Sequence, residues 1–135
     1  TYVARFVGSP AMNILPAVLH RGADGRAEAA VTLPSGEARI RGIALSEAAL
    51  KGYHGQKVLL GIRPEHFALG ADGLDVKIDV VEPMGMETLV YFTINGTEVC
   101  GRVNPNAGAA ESRTMKLRAD LNNMHVIDDS TGKVL

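Results

Sequence analysis

Tryptophan is absent from this chain, and other aromatics are scarce, with three Phe and three Tyr in 135 residues. The core must therefore be aliphatic, and the stacking platforms that single-stranded nucleic acids require are missing. A single cysteine, Cys100, rules out an internal disulfide and cannot anchor a structural zinc site; it suits a reducing compartment. No run of like charge exists. Fourteen basic residues are interspersed with fifteen acidic ones for a formal charge of −1, which leaves nothing to neutralise a phosphate backbone, so no nucleic-acid partner is expected. Nor does any apolar run approach the length that spans a bilayer.

A phosphate cradle of the P-loop type is also lacking. Ser130-Thr131-Gly132-Lys133 comes nearest, but it has no leading glycine, and Val134 follows the lysine. It reads as a turn, and no cofactor is expected for this stretch of chain. His20, His54, His66 and His125 fall at no metal-ligand spacing, so no metal site is expected either. Cys100 lies in an alternating segment, where a small buried apolar side chain is the plainer reading than a nucleophile. Asn95-Gly96-Thr97 matches a glycosylation sequon, but it reads first as a hairpin turn.

What is present is strand after strand. Alternating or apolar segments fall at residues 11–20, 26–33, 37–43, 56–63, 74–83, 88–94, 97–103, 114–120 and 124–128, separated by turn-rich stretches. Val76, Ile78 and Val80 are expected on one buried face. Gly70 to Gly73 reads as a turn, residues 104–113 as a polar loop, and Asp129 to Gly132 as a last turn. Within this pattern only LSEAALKGY (45–53) is helical, with Ser46 as cap, Glu47 in the first turn and Gly52 after its end. The opening TYVARFVG (1–8) reads as the last turns of a helix that stops at Gly8, the tail of something longer. Roughly eight to ten short strands with little helix imply a mostly all-β fold, a small barrel or two packed β units.

Two stretches invite a chemical reading. GIRPEHFAL (61–69) sets Arg63, Glu65 and His66 around Pro64. Proline fixes φ and removes a donor, so the strand must end or bend there, and Arg63 and Glu65 are expected to pin the corner by charge-assisted hydrogen bonds. The competing reading, Glu65 or His66 as a general base, has no second acidic or nucleophilic cluster to support it. VVEPMGMETLVYF (80–92) holds a connection, Glu82 to Glu87, in which Met84 and Met86 flank Gly85. Flexible Met side chains on a loop suit a contact surface for a protein partner.

Taken together, RFVGSPAMNIL (5–15), LGIRPEHFAL (60–69), VVEPMGMETLVYF (80–92) and MHVIDDSTGKVL (124–135) resemble the C-terminal regulatory region of ATP-binding subunits of ABC-type importers for sugars or sn-glycerol-3-phosphate, the maltose-importer class. Each motif is weak by itself; the combination is specific. The resemblance implies OB-type β-barrels, the transport-associated OB architecture: residues 1–8 would end a linker helix from a nucleotide-binding domain, and residues 9–135 would form two intertwined OB-like units. It further implies a non-catalytic role, in which two copies hold the ATPase dimer together on the cytoplasmic face of the inner membrane. ATP and Mg would belong to the nucleotide-binding domain, through which membrane-spanning subunits would be met, and a cytoplasmic regulator could dock. Arg63, Pro64, Glu65 and His66 would be a structural signature, and Glu82, Met84, Gly85, Met86 and Glu87 candidate partner or dimer contacts. The alternative is an OB-type module that binds a small ligand, an oxyanion or a sugar phosphate. Residues 22–53 and 104–113 carry no matching motif.

Overall fold

The structure, a computed structural model, describes residues 12–135. The helical ending expected over residues 1–8 lies outside them. The strands are β1 (Asn13–Arg21), β2 (Ala27–Leu33), β3 (Gly36–Ile43), β4 (Lys57–Ile62), β5 (Phe67–Lys77), β6 (Val80–Pro83), β7 (Thr88–Ile94), β8 (Thr97–Val103), β9 (Thr114–Ala119) and β10 (His125–Asp128). One helix, α1 (Glu47–Tyr53), and three short 3₁₀ turns complete the elements among the described residues. The all-β expectation holds. Among the described residues the strands pair as three open sheets rather than a closed ring: β10-β4-β1-β2-β3, β5-β9 and β6-β7-β8, every pair antiparallel.

One hydrophobic cluster joins all three sheets. It runs from Leu15, Leu19 and Val58 through Phe67 and Val76 to Val90, Phe92 and Val99. It is aliphatic except for Phe67 and Phe92, whose rings meet edge to face at 5.6 Å. Leu50 anchors α1 into this cluster, and Ser46 caps the helix by accepting from the Ala49 N–H at 3.1 Å. The helix runs through Gly52 to Tyr53, and it is Gly55, at φ +77°, that turns the chain back: its N–H donates to the Leu19 carbonyl at 2.7 Å.

The segment expected as one strand over 74–83 is two. β5 pairs with β9, β6 pairs with β7, and the chain changes sheets at Ile78–Asp79, whose N–H groups donate to Arg113 and Tyr91 carbonyls respectively. Val76 and Ile78 are buried as expected, but Val80, beyond the switch, is 46% exposed. Gly70 to Gly73 forms a four-residue excursion within β5, so that Leu69 and Leu74 both lie opposite Leu117. Glycine is required at position 73, where the clash would be with backbone, whereas at position 70 it would be with a movable side chain. A Cβ at Gly73 would come within 2.5 Å of the Leu117 backbone, and one at Gly70 within 2.6 Å of Arg118 Cδ.

Candidate functional site

The Pro64 corner is where the sequence concentrates reactive residue types. Pro64 stops β4 and starts a single 3₁₀ turn, Pro64–His66, before β5 begins. Backbone groups hold this corner. The His66 N–H donates to the Arg63 carbonyl at 3.0 Å, and the Asp120 N–H donates to the His66 carbonyl at 2.8 Å. Pro64 and Phe67 are buried, whereas Arg63 and Glu65 point into solvent. Neither of those two makes an ion pair or side-chain hydrogen bond among the described residues. The expected charge-assisted pinning is therefore corrected: proline's fixed φ and two backbone bonds make the bend without help from charge. His66 is half-buried, and its Nδ1 has no hydrogen-bond partner. Neighbouring Asp120 has its carboxyl held below the usual range, first by the Asn123 side-chain amide and then by the Asn122 N–H.

The second stretch is a hairpin tip on an edge strand. β6 and β7 are joined through Met84–Glu87, where the Met84 N–H donates to the Glu87 carbonyl at 2.8 Å and Gly85 sits at φ +85°. Met86 is 94% exposed and Met84 48% exposed at the tip, and Val80, at the far end of the edge strand β6, is 46% exposed. The flanking acids are anchored to the sheet. Tyr91 Oη donates to Glu82 Oε1 at 3.0 Å, and Glu87 Oε2 lies 2.9 Å from Arg102 Nε as an ion pair without hydrogen-bond alignment. Burial, followed by the Glu82 bond, raises the pKa of Tyr91, so its hydroxyl remains a donor through the physiological range. The five residues singled out in the sequence thus form one continuous feature: two flexible, exposed thioethers on a braced turn.

Other candidates resolve into structure. Cys100 is buried in β8. The Ser130–Lys133 stretch is a turn over Asp128, whose Oδ1 accepts from the Ser130 and Thr131 N–H groups at 2.7 and 2.9 Å. Asn95-Gly96 is the β7–β8 turn, with φ of +51° and +72°, the double left-handed geometry that favours this dipeptide. Among the described residues no group of three or more His, Cys, Asp or Glu is placed to hold a metal ion.

Sequence reasoning missed the two asparagines that stitch the sheets together. Asn13 is 9% exposed at the start of β1. Its Nδ2 donates to the Ile62 carbonyl at 3.0 Å and the Cys100 carbonyl at 2.8 Å, and its Oδ1 accepts the Cys100 N–H at 2.9 Å. Among the described residues β8 is laddered to β7 alone, and on its other side the Asn13 amide bonds both peptide groups of Cys100, as a single peptide unit would. Asn95 does the reverse from the hairpin tip. Its side chain donates to the Pro16 carbonyl and accepts the Thr32 N–H, and its own N–H donates to the Thr32 carbonyl at 2.7 Å. The signal for Asn13 was present in GSPAMN, but nothing in one sequence says which residue of a motif is buried.

The motifs meet in space. Asn13 and Ile62 are paired across β1 and β4, and the side chain of Met12 packs over Gly61, where a Cβ would lie 2.8 Å from its sulfur. Met12 and Asn13 and the GIRPEH stretch are thus two sides of one joint, which closes on β8 through Asn13.

With this geometry, comparison with known proteins becomes informative. Residues 8–67 match the family model described as the MalK OB fold domain, and residues 60–126 match that of the TOBE domain. The chain is 36% identical over 136 residues to the sn-glycerol-3-phosphate import ATP-binding protein UgpC of Ruegeria pomeroyi, covering 98% of this chain and 34% of that protein. It is 32% identical to the sulfoquinovosyl glycerol transport ATP-binding protein SmoE of Agrobacterium fabrum, covering 96% of this chain and 35% of the relative. The chain therefore spans about a third of the length of these curated relatives. In fold it is similar to the cytoplasmic molybdate-binding protein ModG, with a TM-score of 0.57 at 16% identity over 86% of this chain and 95% of that one. The two models between them account for residues 8–126, and the chain belongs to the family they describe, a MalK OB fold domain running into a TOBE domain.

Proposed function

We propose that this chain is the non-catalytic C-terminal regulatory and dimerisation region of the ATP-binding subunit of an ABC-type importer for sugars or sn-glycerol-3-phosphate. The observation that carries the reading is an alignment along almost the whole chain with import ATP-binding proteins of which it makes up only about a third. ATP and Mg, in this reading, bind the nucleotide-binding domain of the full subunit, and membrane-spanning partners are met through that domain. The working position is the cytoplasmic face of the inner membrane, held peripherally; no helix among the described residues is long and apolar enough to cross it.

The β6–β7 tip is the surface this role would use, for a second copy or for a cytoplasmic regulator. Met84 and Met86 give it exposed apolar area, and Glu82 and Glu87 already have partners within the sheet. Sedimentation equilibrium from micromolar to near-millimolar concentration tests the proposal. Concentration-dependent dimer formation is expected, weakened by Met84→Glu with Met86→Glu while the circular dichroism spectrum is unchanged. A strict monomer throughout, or a dimer indifferent to both substitutions, would overturn the assignment of this surface.

A further inference from the structure

The β7–β8 turn carries a chemistry of its own. Asn95 is followed by Gly96, and no other asparagine in the chain is followed by glycine. In such a pair the glycine backbone nitrogen, unobstructed by a Cβ, can attack the asparagine side-chain carbonyl and close a five-membered succinimide. Here the glycine is in the open: Gly96 is exposed at φ +72°, and a Cβ built on it would meet nothing within 4 Å. Packing therefore does not shield the pair. What restrains it is the half-buried Asn95 side chain, engaged at both ends on strands of the first sheet. Its Nδ2 donates to the Pro16 carbonyl in β1, and its Oδ1 accepts the Thr32 N–H in β2. The Asn95 N–H adds a third bond, to the Thr32 carbonyl at 2.7 Å.

Those bonds form a gate. For the Gly96 nitrogen to reach Asn95 Cγ, the side-chain amide must turn toward its own backbone, which it cannot do while β1 holds one end and β2 the other. The tip must first lift from the first sheet, a local opening separate from global unfolding. Once open, the reaction needs no co-reactant but water. Gly96 N bonds to Asn95 Cγ, the Cγ–Nδ2 bond breaks, and the Gly96 proton leaves with Nδ2 as ammonia. Water then opens the ring at one carbonyl or the other, leaving aspartate or isoaspartate. Neither product can rebuild the bridge: a carboxylate has no proton to donate to the Pro16 carbonyl, and isoaspartate lengthens the turn backbone by a methylene. Pro16 and Thr32 lie in the stretch matched by the MalK OB fold model and Asn95 in that matched by the TOBE model, so the bridge lost is one between the two matched domains.

We propose that Asn95 is a gated deamidation site, closed while its amide bridges β1 and β2, whose conversion irreversibly uncouples the β7–β8 tip from the first sheet. The site depends on neither the transporter reading nor the dimer surface. The direct assay is incubation of the whole chain at physiological temperature and mildly alkaline pH, with conversion at Asn95 followed by peptide mapping and mass spectrometry. A synthetic peptide of residues 93–99 and the chain unfolded in urea serve as ungated references. The folded chain should convert at least about tenfold more slowly than either, because several hydrogen bonds must open together. Hydrogen exchange at the Asn95 N–H measures the opening independently, and urea below the unfolding transition should raise exchange and deamidation in proportion. The deamidated chain, separated by its added negative charge, should lose exchange protection at Thr32 and keep it at Cys100, whose N–H is held by Asn13. Conversion of the folded chain as fast as that of the peptide, a rate indifferent to urea below the transition, no aspartate or isoaspartate over a time in which the measured opening requires it, or a deamidated chain as protected at Thr32 as the parent overturns the proposal.

Discussion

Asn13→Ala removes three buried hydrogen bonds with one substitution, and the structure allows the cost to be worked through. The Cys100 N–H and carbonyl face away from β7's ladder and have the Asn13 amide as their partner, and the Ile62 carbonyl loses one of its donors. A buried backbone group left without a partner costs about 1–3 kcal/mol, whereas an intact bond contributes about 1 kcal/mol net. Three lost bonds at about 1 kcal/mol each give a loss of about 3 kcal/mol, and a small cavity adds to it. For a domain of this size, a urea slope of about 2 kcal/mol per molar turns that into a midpoint lower by about 1.5 M with the slope unchanged. Asn13→Asp separates the hydrogen-bond account from a packing account. Aspartate keeps the volume but gives up the donor and turns a carboxylate toward two carbonyl oxygens, so it should destabilise at least as much as alanine at neutral pH. It should recover in part on acidification, when the protonated carboxyl can donate again. An Asn13→Asp protein within about 0.5 kcal/mol of the parent at pH 7, the range of an indifferent surface change, would refute the reasoning.

Two further outcomes follow from the geometry. Arg63→Ala and Glu65→Ala, separately or together, should each shift stability by less than about 0.5 kcal/mol in the same urea assay, because both side chains are exposed and unpaired; a loss above 1 kcal/mol would restore the charge-pinned corner. Asp128 should govern part of the acid limb of stability: its carboxyl is held below the ordinary value first by the Tyr53 hydroxyl and then by the Thr131 and Ser130 N–H groups. A lowered folded-state value means stabilisation present above pH of about 4 and lost as pH falls through that lower value, so Tyr53→Phe should move the Asp128 midpoint upward in a carboxyl-carbon NMR titration and flatten the acid limb. An unmoved midpoint would assign the shift to the turn amides alone.

Much of this fold was legible because its strands are short and alternate cleanly between punctuating turns. Asn95-Gly96, Pro64 and the Ser46 cap each fixed local geometry through their own backbone chemistry. Errors fell where tertiary partners override local pattern. LDVKIDVVEP alternates as one strand, yet it changes sheets at Ile78–Asp79, because the Arg113 and Tyr91 carbonyls capture its N–H groups from two different strands. Val80 continues the apolar period and is exposed all the same. Arg63 and Glu65 flank a proline closely enough to pair, but the extended backbone at Arg63 (ψ 151°) directs them to solvent instead. The bridge from Asn95 to Pro16 and Thr32 could not have been read at all, since it joins the β7–β8 turn to β1 and β2 without a shared motif.

The same reasoning accounts for why the matching motifs are individually weak and jointly specific. The GSPAMN and GIRPEH stretches lie far apart in the chain, but Met12 sits over Gly61 and Asn13 on Ile62. A Cβ at Gly61 would press on the Met12 sulfur, and a change at Asn13 removes its hydrogen bonds to Cys100 in β8, so the constraint attaches to the joint and not to either stretch alone. Asn95 imposes a second such constraint from the opposite direction, binding the β7–β8 tip to Pro16 and Thr32. Residues 60–67, shared by the two family models, run from β4 through the Pro64 corner into β5, where the first sheet hands over to the second. Phe67 at that handover packs on Phe92 of the third sheet within one continuous core. A boundary crossed by a shared core and by two amide bridges, one buried at Asn13 and one part-buried at Asn95, gives neither half a separate interior to fold around, so the two matched domains are expected to unfold in a single transition.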